Sequence, residues 1–223
     1  ASIVSASNET SSGTITGTER WSGVHQLSGD VTIASGAQLI INPGTSISAS
    51  KGTHIDVRGS ICIGEVSCGA SSNANPNQKI RFQWSDPLNS SATGKCVGLS
   101  QNNQEITVTD PSCYEGILIR SSIDLSLTGV RYLVMDGAYG IPHFINSVNE
   151  WRYGALVIDG ASPILRNLDF SDINTSSVLT TSLAQPTFID SSFSVGNDEE
   201  SNVGGSAMPV SYTHLTLPTI LLV

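Results

Sequence analysis

The sequence has little charge, few aromatic side chains and no long apolar run. Charged residues make up 13% of its 223 residues and aromatic residues 6%, whereas charged residues usually make up about 25% of a globular domain. No segment repeats apolar residues at helical spacing, so a mainly helical fold is excluded. Short β-branched runs that end in Gly, Asn or Ser predict strands instead. We therefore expect an all-β protein.

Clusters of basic residues are also missing. The formal net charge is −9, and binding to phosphate groups requires a basic face. A nucleic-acid partner is therefore not expected. The one acidic run, Asp198-Glu199-Glu200, lies in a segment rich in Gly, Asn and Ser. It predicts a solvated loop, and the alternative of a calcium site lacks the usual alternation of oxygen ligands.

Four cysteines occur, at Cys62, Cys68, Cys96 and Cys113. Their spacing lacks the paired C-x2-C ligands of a zinc site, so no metal site is expected. Two disulfides are the natural interpretation for an exported chain, and proximity favours Cys62–Cys68 and Cys96–Cys113 among the three pairings. Buried free thiols are the alternative. The disulfide interpretation predicts an extracellular or cell-surface location.

A period of 23 residues is the most informative pattern in the sequence. "LVMDGA" begins at Leu133 and "LVIDGA" at Leu156, and Phe170 and Phe193 are separated by the same interval. A unit of this length holds about three short strands, whose hydrogen bonds and apolar rows are completed only by stacking on the next unit. This predicts a single-stranded parallel β-helix in which Leu133, Leu156 and Leu179 share one inward ladder. A β-sandwich, which requires no constant period, is the alternative.

The repeats set the expected domain borders. We expect a Ser/Thr-rich segment at residues 1–20 and a parallel β-helix domain at residues 21–200. Polar insertions are expected near residues 64–78 and 88–113. Residues 201–223 are expected to form a linker and a non-native tail.

Several segments follow one another in a recognisable order. "LSGDVTIASGAQLIINPGTSI" (Leu27–Ile47) has a Gly-then-apolar strand and a Pro-Gly-Thr turn, and "IDVRGSICI", "KIRFQWSDP" and "YEGILIRSS" follow it. "GVRYLVMDGA", "ALVIDGASPILRNLDF" and "AQPTFIDSSF" come later. This order, from roughly Trp21 to Val195, resembles the right-handed parallel β-helix group with a pectin-lyase-like fold, especially its secreted, non-enzymatic surface members. The departure is the two polar insertions. The resemblance implies a structural or adhesive role, with surface glycans or neighbouring domains as partners and no cofactor.

Many β-helices of this fold cleave acidic polysaccharides, which draws attention to Asp136 and Asp159. The repeat predicts that these carboxylates stack one coil apart, roughly 5 Å from each other, a separation that suits a retaining glycosidase or a bound cation. Each Asp also precedes Gly, and Asp-Gly is an ordinary sequence for a tight turn. No other residue lies in a catalytic motif. We therefore expect no enzymatic activity, and a polysaccharide lyase or glycoside hydrolase is the alternative.

The aromatic residues allow two interpretations. Trp21, Trp84 and Trp151 could stack on sugars, but packing at coil ends is the expected role because such aromatics occur beside Gly steps. The four histidines are not spaced as metal ligands. His143 follows Pro142 and is expected to lie on the surface.

The C-terminal segment Val210–Val223 does not continue the repeat. Its longest apolar run, "LPTILLV", is too short for a membrane span, which needs about 20 apolar residues. The preceding string "VSYTHLTLPT" can be decoded as a widely used transposase sequencing adapter. We therefore expect Val210–Val223 to be non-native, and the chain to be a fragment of a longer gene from an environmental library.

Overall fold

A computed structural model describes residues 9–50, 52–65, 68, 77–84, 95–99, 105–109, 115–138, 140–145, 150–173 and 176–193. Their secondary structure consists of strands and one 3-10 turn at Leu125–Leu127, so the all-β class is confirmed. The strands are β1 (Glu9–Ile15), β2 (Thr18–Trp21), β3 (Val24–Ile33), β4 (Gln38–Ile41), β5 (Ser46–Ala49), β6 (His54–Val57), β7 (Ser60–Ile63), β8 (Ile80–Trp84), β9 (Lys95–Leu99), β10 (Glu105–Thr109), β11 (Gly116–Arg120), β12 (Gly129–Arg131), β13 (Leu133–Asp136), β14 (Ile141–Ile145), β15 (Glu150–Asp159), β16 (Ile164–Arg166), β17 (Asp169–Ser171), β18 (Ser176–Thr181) and β19 (Thr187–Ile189).

Most of these strands pair in three parallel ladders. Ladder A contains the second half of β3, followed by β6, β11, β15 and β18. Ladder B contains β2, β4, β7, β12, β16 and β19. Ladder C contains the first half of β3, followed by β5, β8, β13 and β17. From the second half of β3 onwards, the chain visits the ladders repeatedly in the order A, B, C.

The first strands extend this pairing towards the N-terminus. β1 runs parallel to β3 along both of its halves, and β2 pairs with β4. Parallel pairing therefore begins within residues 1–20, before the expected domain border. The segment expected to form a second polar insertion, at residues 88–113, contains the antiparallel pair of β9 and β10.

The inward side chains of the three ladders form one apolar core. On ladder A, Ile33, Val57, Ile119 and Ile158 are fully buried. They occupy corresponding register positions on successive strands. Stacked β-branched side chains pack closely on a pleated surface, which explains why short Ile- and Val-rich runs form this core.

The 23-residue period is correct near the end of the described chain. The rings of Phe170 and Phe193 stack with their centroids 5.6 Å apart. Asn167 and Asp190 both adopt the left-handed backbone region, with φ of 54° and 51°. The Asn167 N–H donates to the carbonyl of Ile189, the residue before Asp190. These residues therefore occupy matching turn positions, as the repeat predicts.

The same period is misleading between Leu133 and Leu156. Leu133 pairs with Ile80 in ladder C, whereas Leu156 pairs with Ile117 in ladder A. The prediction that they stack in one ladder is therefore wrong. The reason is β14, which pairs antiparallel with β15 and takes up chain length, so 23 residues advance the chain by only one ladder.

Leu179, the third member of the predicted stack, lies outside the main core. With Leu118, Ile141 and Val157 it forms a second buried apolar cluster. Leu179 pairs with Val157, and both alternate with the inward residues of their strands. Ile141 belongs to β14, so the antiparallel strand covers part of the outer face of ladder A.

Candidate functional site

The two candidate catalytic carboxylates lie on different ladders. Asp136 ends β13 in ladder C, and its Oδ1 accepts a hydrogen bond from Ser171 Oγ at 3.1 Å. Asp159 ends β15 in ladder A, and its Oδ1 accepts from Thr181 Oγ1 at 3.0 Å. The predicted stacking of Asp136 on Asp159 is therefore wrong. Each is followed by a glycine in the left-handed region, with φ of 74° and 70°, which agrees with the turn interpretation.

A cluster of charged groups instead surrounds Asp56 on the outer face of ladder A. The Asp56 side chain is only 5% exposed. Arg120 Nε donates to its Oδ1 at 3.0 Å, and Arg58 Nη2 donates to its Oδ2 at 2.8 Å. Arg120 Nη1 also lies 3.9 Å from Asp159 Oδ2. We call Asp56, Arg58, Arg120, Asp159 and the nearby His143 the ladder A cluster.

Strand alternation places these side chains together. Ile55 and Val57 point into the core, so Asp56 between them points outward. Arg58 lies two residues after Asp56 and therefore on the same side of the ladder. Arg120 is paired in register with Asp159. Asp56 is paired with Leu118, two residues before Arg120, so the long arginine side chain can reach it from the neighbouring strand.

The cluster favours an ionised Asp56 and a neutral His143. Burial alone would raise the pKa of Asp56, but the hydrogen bond and charge of Arg120, and then those of Arg58, hold it below its ordinary value of 3.8. Burial lowers the pKa of His143 below 6.5, Asp159 partly offsets this effect, and Arg120 adds to the lowering. His143 is half buried, whereas it was expected to lie on the surface.

A second polar group lies at the N-terminal end of the core and was not anticipated from the sequence. His25 is buried, its Nε2 lies 2.7 Å from Ser11 Oγ, and its ring stacks on Trp21 at 4.2 Å. Burial lowers the pKa of His25, and the carboxylates of Glu9 and Glu19 offset this only in part. The group therefore places polar side chains directly beside the buried ring of Trp21.

Two tryptophans confirm the packing interpretation. Trp21 and Trp84 are buried in the main core. The indole of Trp21 donates to Glu19 Oε1 at 2.7 Å, and that of Trp84 donates to the Thr53 carbonyl at 2.9 Å. The side chain of Trp151 lies outside the described residues. Neither of the two described indole rings is available for stacking on a sugar.

The cysteine-bearing turn after β7 forms a third polar group. Cys62 and Cys68 form a disulfide with Cα atoms 5.5 Å apart, as their proximity in sequence predicts. Glu65 between them is buried and forms an ion pair with Arg131. The second predicted pair, Cys96–Cys113, lies outside the residues whose side chains are described.

Comparison of the chain with models of protein families, with curated proteins and with solved structures found no match. Among the described residues, no helix is long and apolar enough to cross a membrane. The residue contacts are therefore the basis for assigning a function.

Proposed function

We propose that the chain is a single-stranded right-handed parallel β-helix of the pectin-lyase-like type. The repeated passage through ladders A, B and C supports this architecture, because each strand pairs with the corresponding strand of the preceding and following turn. A right-handed path is proposed because connections between parallel strands of one sheet are right-handed in about 98% of cases. The order of sequence motifs from Trp21 to Val195 adds the resemblance to this fold group.

We further propose that the domain is a structural or adhesive module of a secreted or cell-surface protein. The observation that carries this proposal is the way four of the described carboxylates are held. Asp56 is bound by two arginines and Glu65 by Arg131, while Asp136 and Asp159 accept hydrogen bonds from hydroxyl groups. A general acid usually needs a raised carboxyl pKa, but the pKa of Asp56 is lowered. A surface whose carboxylates are held in this way is suited to a rigid, structural role.

The location proposed for the module is extracellular. The Cys62–Cys68 disulfide supports this, since disulfides persist mainly in oxidising compartments. The low charge and the Ser, Thr and Asn content of the turns fit a surface that presents hydroxyl and amide groups to a partner.

The proposed recognition surface is the outer face of ladder A where the antiparallel strands meet. β14 pairs with β15 there, and β9 contacts β14. These antiparallel strands interrupt the regular parallel ladders. They therefore give the surface an irregular shape that a specific partner can recognise. Surface glycans, or neighbouring domains of a larger surface protein, are the proposed partners.

Binding of the full chain to immobilised polysaccharides tests this proposal. We expect saturable retention on at least one surface polysaccharide without release of sugar products. Arg152 of β15 pairs in register with His143 of β14, so Arg152→Ala should weaken retention several-fold. Arg20→Ala on ladder B, which removes the same type of side chain from another ladder, should not. Equal effects of the two substitutions would contradict the proposed surface.

One observation favours the alternative of a polysaccharide lyase or hydrolase. A neutral His143 lies close to Arg120 and Asp159, and a neutral imidazole beside a cation could take the proton α to a uronate carboxylate. In the same assay an enzyme would release unsaturated or reducing sugar ends. That release should be lost in His143→Ala while the far-UV circular dichroism stays unchanged. Binding without product release supports the adhesive module instead.

A further inference from the structure

The turn after β7 brings together three side chains that are suited to a soft divalent cation. The Sγ atoms of Cys62 and Cys68 and a carboxylate oxygen of Glu65 all lie within 4.8 Å of one another. In a tetrahedral zinc site with Zn–S distances near 2.3 Å, the sulfur ligands lie about 3.8 Å from each other. The reduced sulfurs would therefore have to separate to about that distance to share one cation.

The local sequence "CIGEVSC" explains why these side chains converge. Cys62 and Glu65 are separated by two residues, the short interval typical of ligands that share one metal. Gly64 between them has φ of 77°, and a Cβ atom at this position would lie 2.2 Å from the carbonyl oxygen of Arg131. Only glycine fits this close approach, so the turn that directs Glu65 back towards Cys62 is specified by the sequence.

The charges of the site are also balanced for a divalent cation. Glu65 is 3% exposed and ion-paired with Arg131, so its carboxylate is held in one orientation inside the protein. Two thiolates and one carboxylate carry three negative charges, and a divalent cation with the Arg131 guanidinium carries three positive charges. A partner of a ligating carboxylate, such as Arg131 here, fixes the orientation of the ligand.

We propose that Cys62, Glu65 and Cys68 form a redox-controlled binding site for a soft divalent cation of the zinc type. In the oxidised protein the disulfide consumes both sulfur ligands and closes the site. A dithiol reductant transfers two electrons and two protons to the disulfide, which gives two thiols and the cyclic disulfide of the reductant. Binding of the cation then displaces the two thiol protons, and water fills the fourth coordination position. In an oxidising compartment the site stays closed.

Titration of the full chain with Cd²⁺ tests the proposal. The protein is reduced with a thiol-free phosphine, and the background variant is Cys96→Ser/Cys113→Ser, so that only the two sulfurs of the site remain. We expect a thiolate-to-cadmium charge-transfer band that saturates at one equivalent in the reduced protein and is absent from the oxidised protein. Binding should weaken as the pH falls, because the thiols must lose their protons.

Two substitutions in this background separate the site from general thiol binding. Cys62→Ser should abolish the band, and Glu65→Gln, which leaves both sulfurs in place, should weaken Cd²⁺ binding at least about 10-fold. If reduction unfolds the chain, one equivalent of Cd²⁺ should restore the strand signal in circular dichroism. Equal binding by oxidised and reduced protein, unchanged affinity of Glu65→Gln, or failure of Cd²⁺ to bind or refold the reduced chain would each overturn the proposal.

Discussion

Asp56 shows how a carboxylate is stabilised on the outside of a parallel ladder. It alternates with the inward Ile55 and Val57, and its side chain is 5% exposed. A buried charge without partners would be costly, so the two arginines beside it are part of the structure of this face. Arg120 comes from the next strand of ladder A and therefore links successive turns of the chain.

Replacement of Asp56 by Asn is expected to destabilise the fold. The change removes the charge that accepts from Arg120 and Arg58. Both arginines are more than a third exposed, so water can solvate them once the charge of Asp56 is removed. We therefore expect a loss of about 1–2 kcal/mol in the free energy of unfolding. Asp136→Asn, which affects one hydrogen bond to Ser171, should cost less than about 1 kcal/mol. Urea unfolding at neutral pH measures both, and equal losses would contradict the assigned role of Asp56.

The two described histidines with shifted pKa predict a loss of stability in mild acid. The pKa values of His25 and His143 are lowered from 6.5 in the folded chain, so the unfolded chain binds protons first as the pH falls. The stability that these two histidines contribute is therefore fully present well above pH 6.5 and decreases below it until the folded histidines also titrate. Asp56, whose pKa lies below 3.8, adds a further loss only in stronger acid. The difference in the free energy of unfolding between pH 7 and pH 5 measures this effect. We expect that difference to be smaller in His25→Gln than in the unsubstituted chain. An equal difference in both would argue against the buried neutral His25.

At the scale of elements, the turns between ladders B and C show what the sequence could predict. Asn167 and Asp190 adopt φ of 54° and 51°, and short polar residues are typical of such positions. Tyr132 adopts the same φ of 54° at the equivalent turn, but nothing in an aromatic residue marks this conformation. Its role becomes visible only from its N–H, which donates to the carbonyl of Arg166, one residue before Asn167.

The insertion of β14 explains the main error in the predicted site. "LVMDGA" and "LVIDGA" are 23 residues apart, but β14 occupies part of that interval, so Asp136 and Asp159 end strands in different ladders. The partner of Asp56 on the neighbouring strand was equally hidden, since Arg120 is 64 residues away. A contact across that distance depends on how many residues each insertion contains, which a local pattern does not record.

Gly116 tests the close packing of neighbouring turns in ladder A. A Cβ atom at this position would lie 2.2 Å from the carbonyl oxygen of Ala155 on β15, and φ is 148°. Gly116→Ala should therefore lower the free energy of unfolding by at least about 2 kcal/mol. Gly17→Ala is the matched control, because nothing lies within 4 Å of the position that its new methyl group would take and a change within about 0.5 kcal/mol is expected. Thermal or urea unfolding measures both, and a neutral Gly116→Ala would show that β11 and β15 are not packed this closely.

At the scale of the whole molecule, composition and period were sufficient to predict parallel strands around an apolar core. Both reflect the same requirement: each pass of the chain through the three ladders must bury its apolar side chains against those of the next pass. The polar group at the N-terminal end, with His25 on Trp21 and Ser11, could not be predicted in this way. His25 and Ser11 are brought together by the parallel pairing of β1 with β3, and no repeated motif of the sequence marks that pairing.

The distance between the two ends of ladder B tests the stacked architecture most directly. Arg20 and Thr187 lie in one register row, five strand-to-strand steps apart, and steps of about 4.8 Å place them about 24 Å from each other. Spin labels at Arg20→Cys and Thr187→Cys, in the Cys96→Ser/Cys113→Ser background, should give a dipolar distance centred near that value. Labels at Ile164→Cys and Thr187→Cys, which are direct partners, should show strong dipolar broadening. A 20/187 distance near the roughly 10 Å between packed sheets, or a 164/187 pair without broadening, would contradict the stacked ladders.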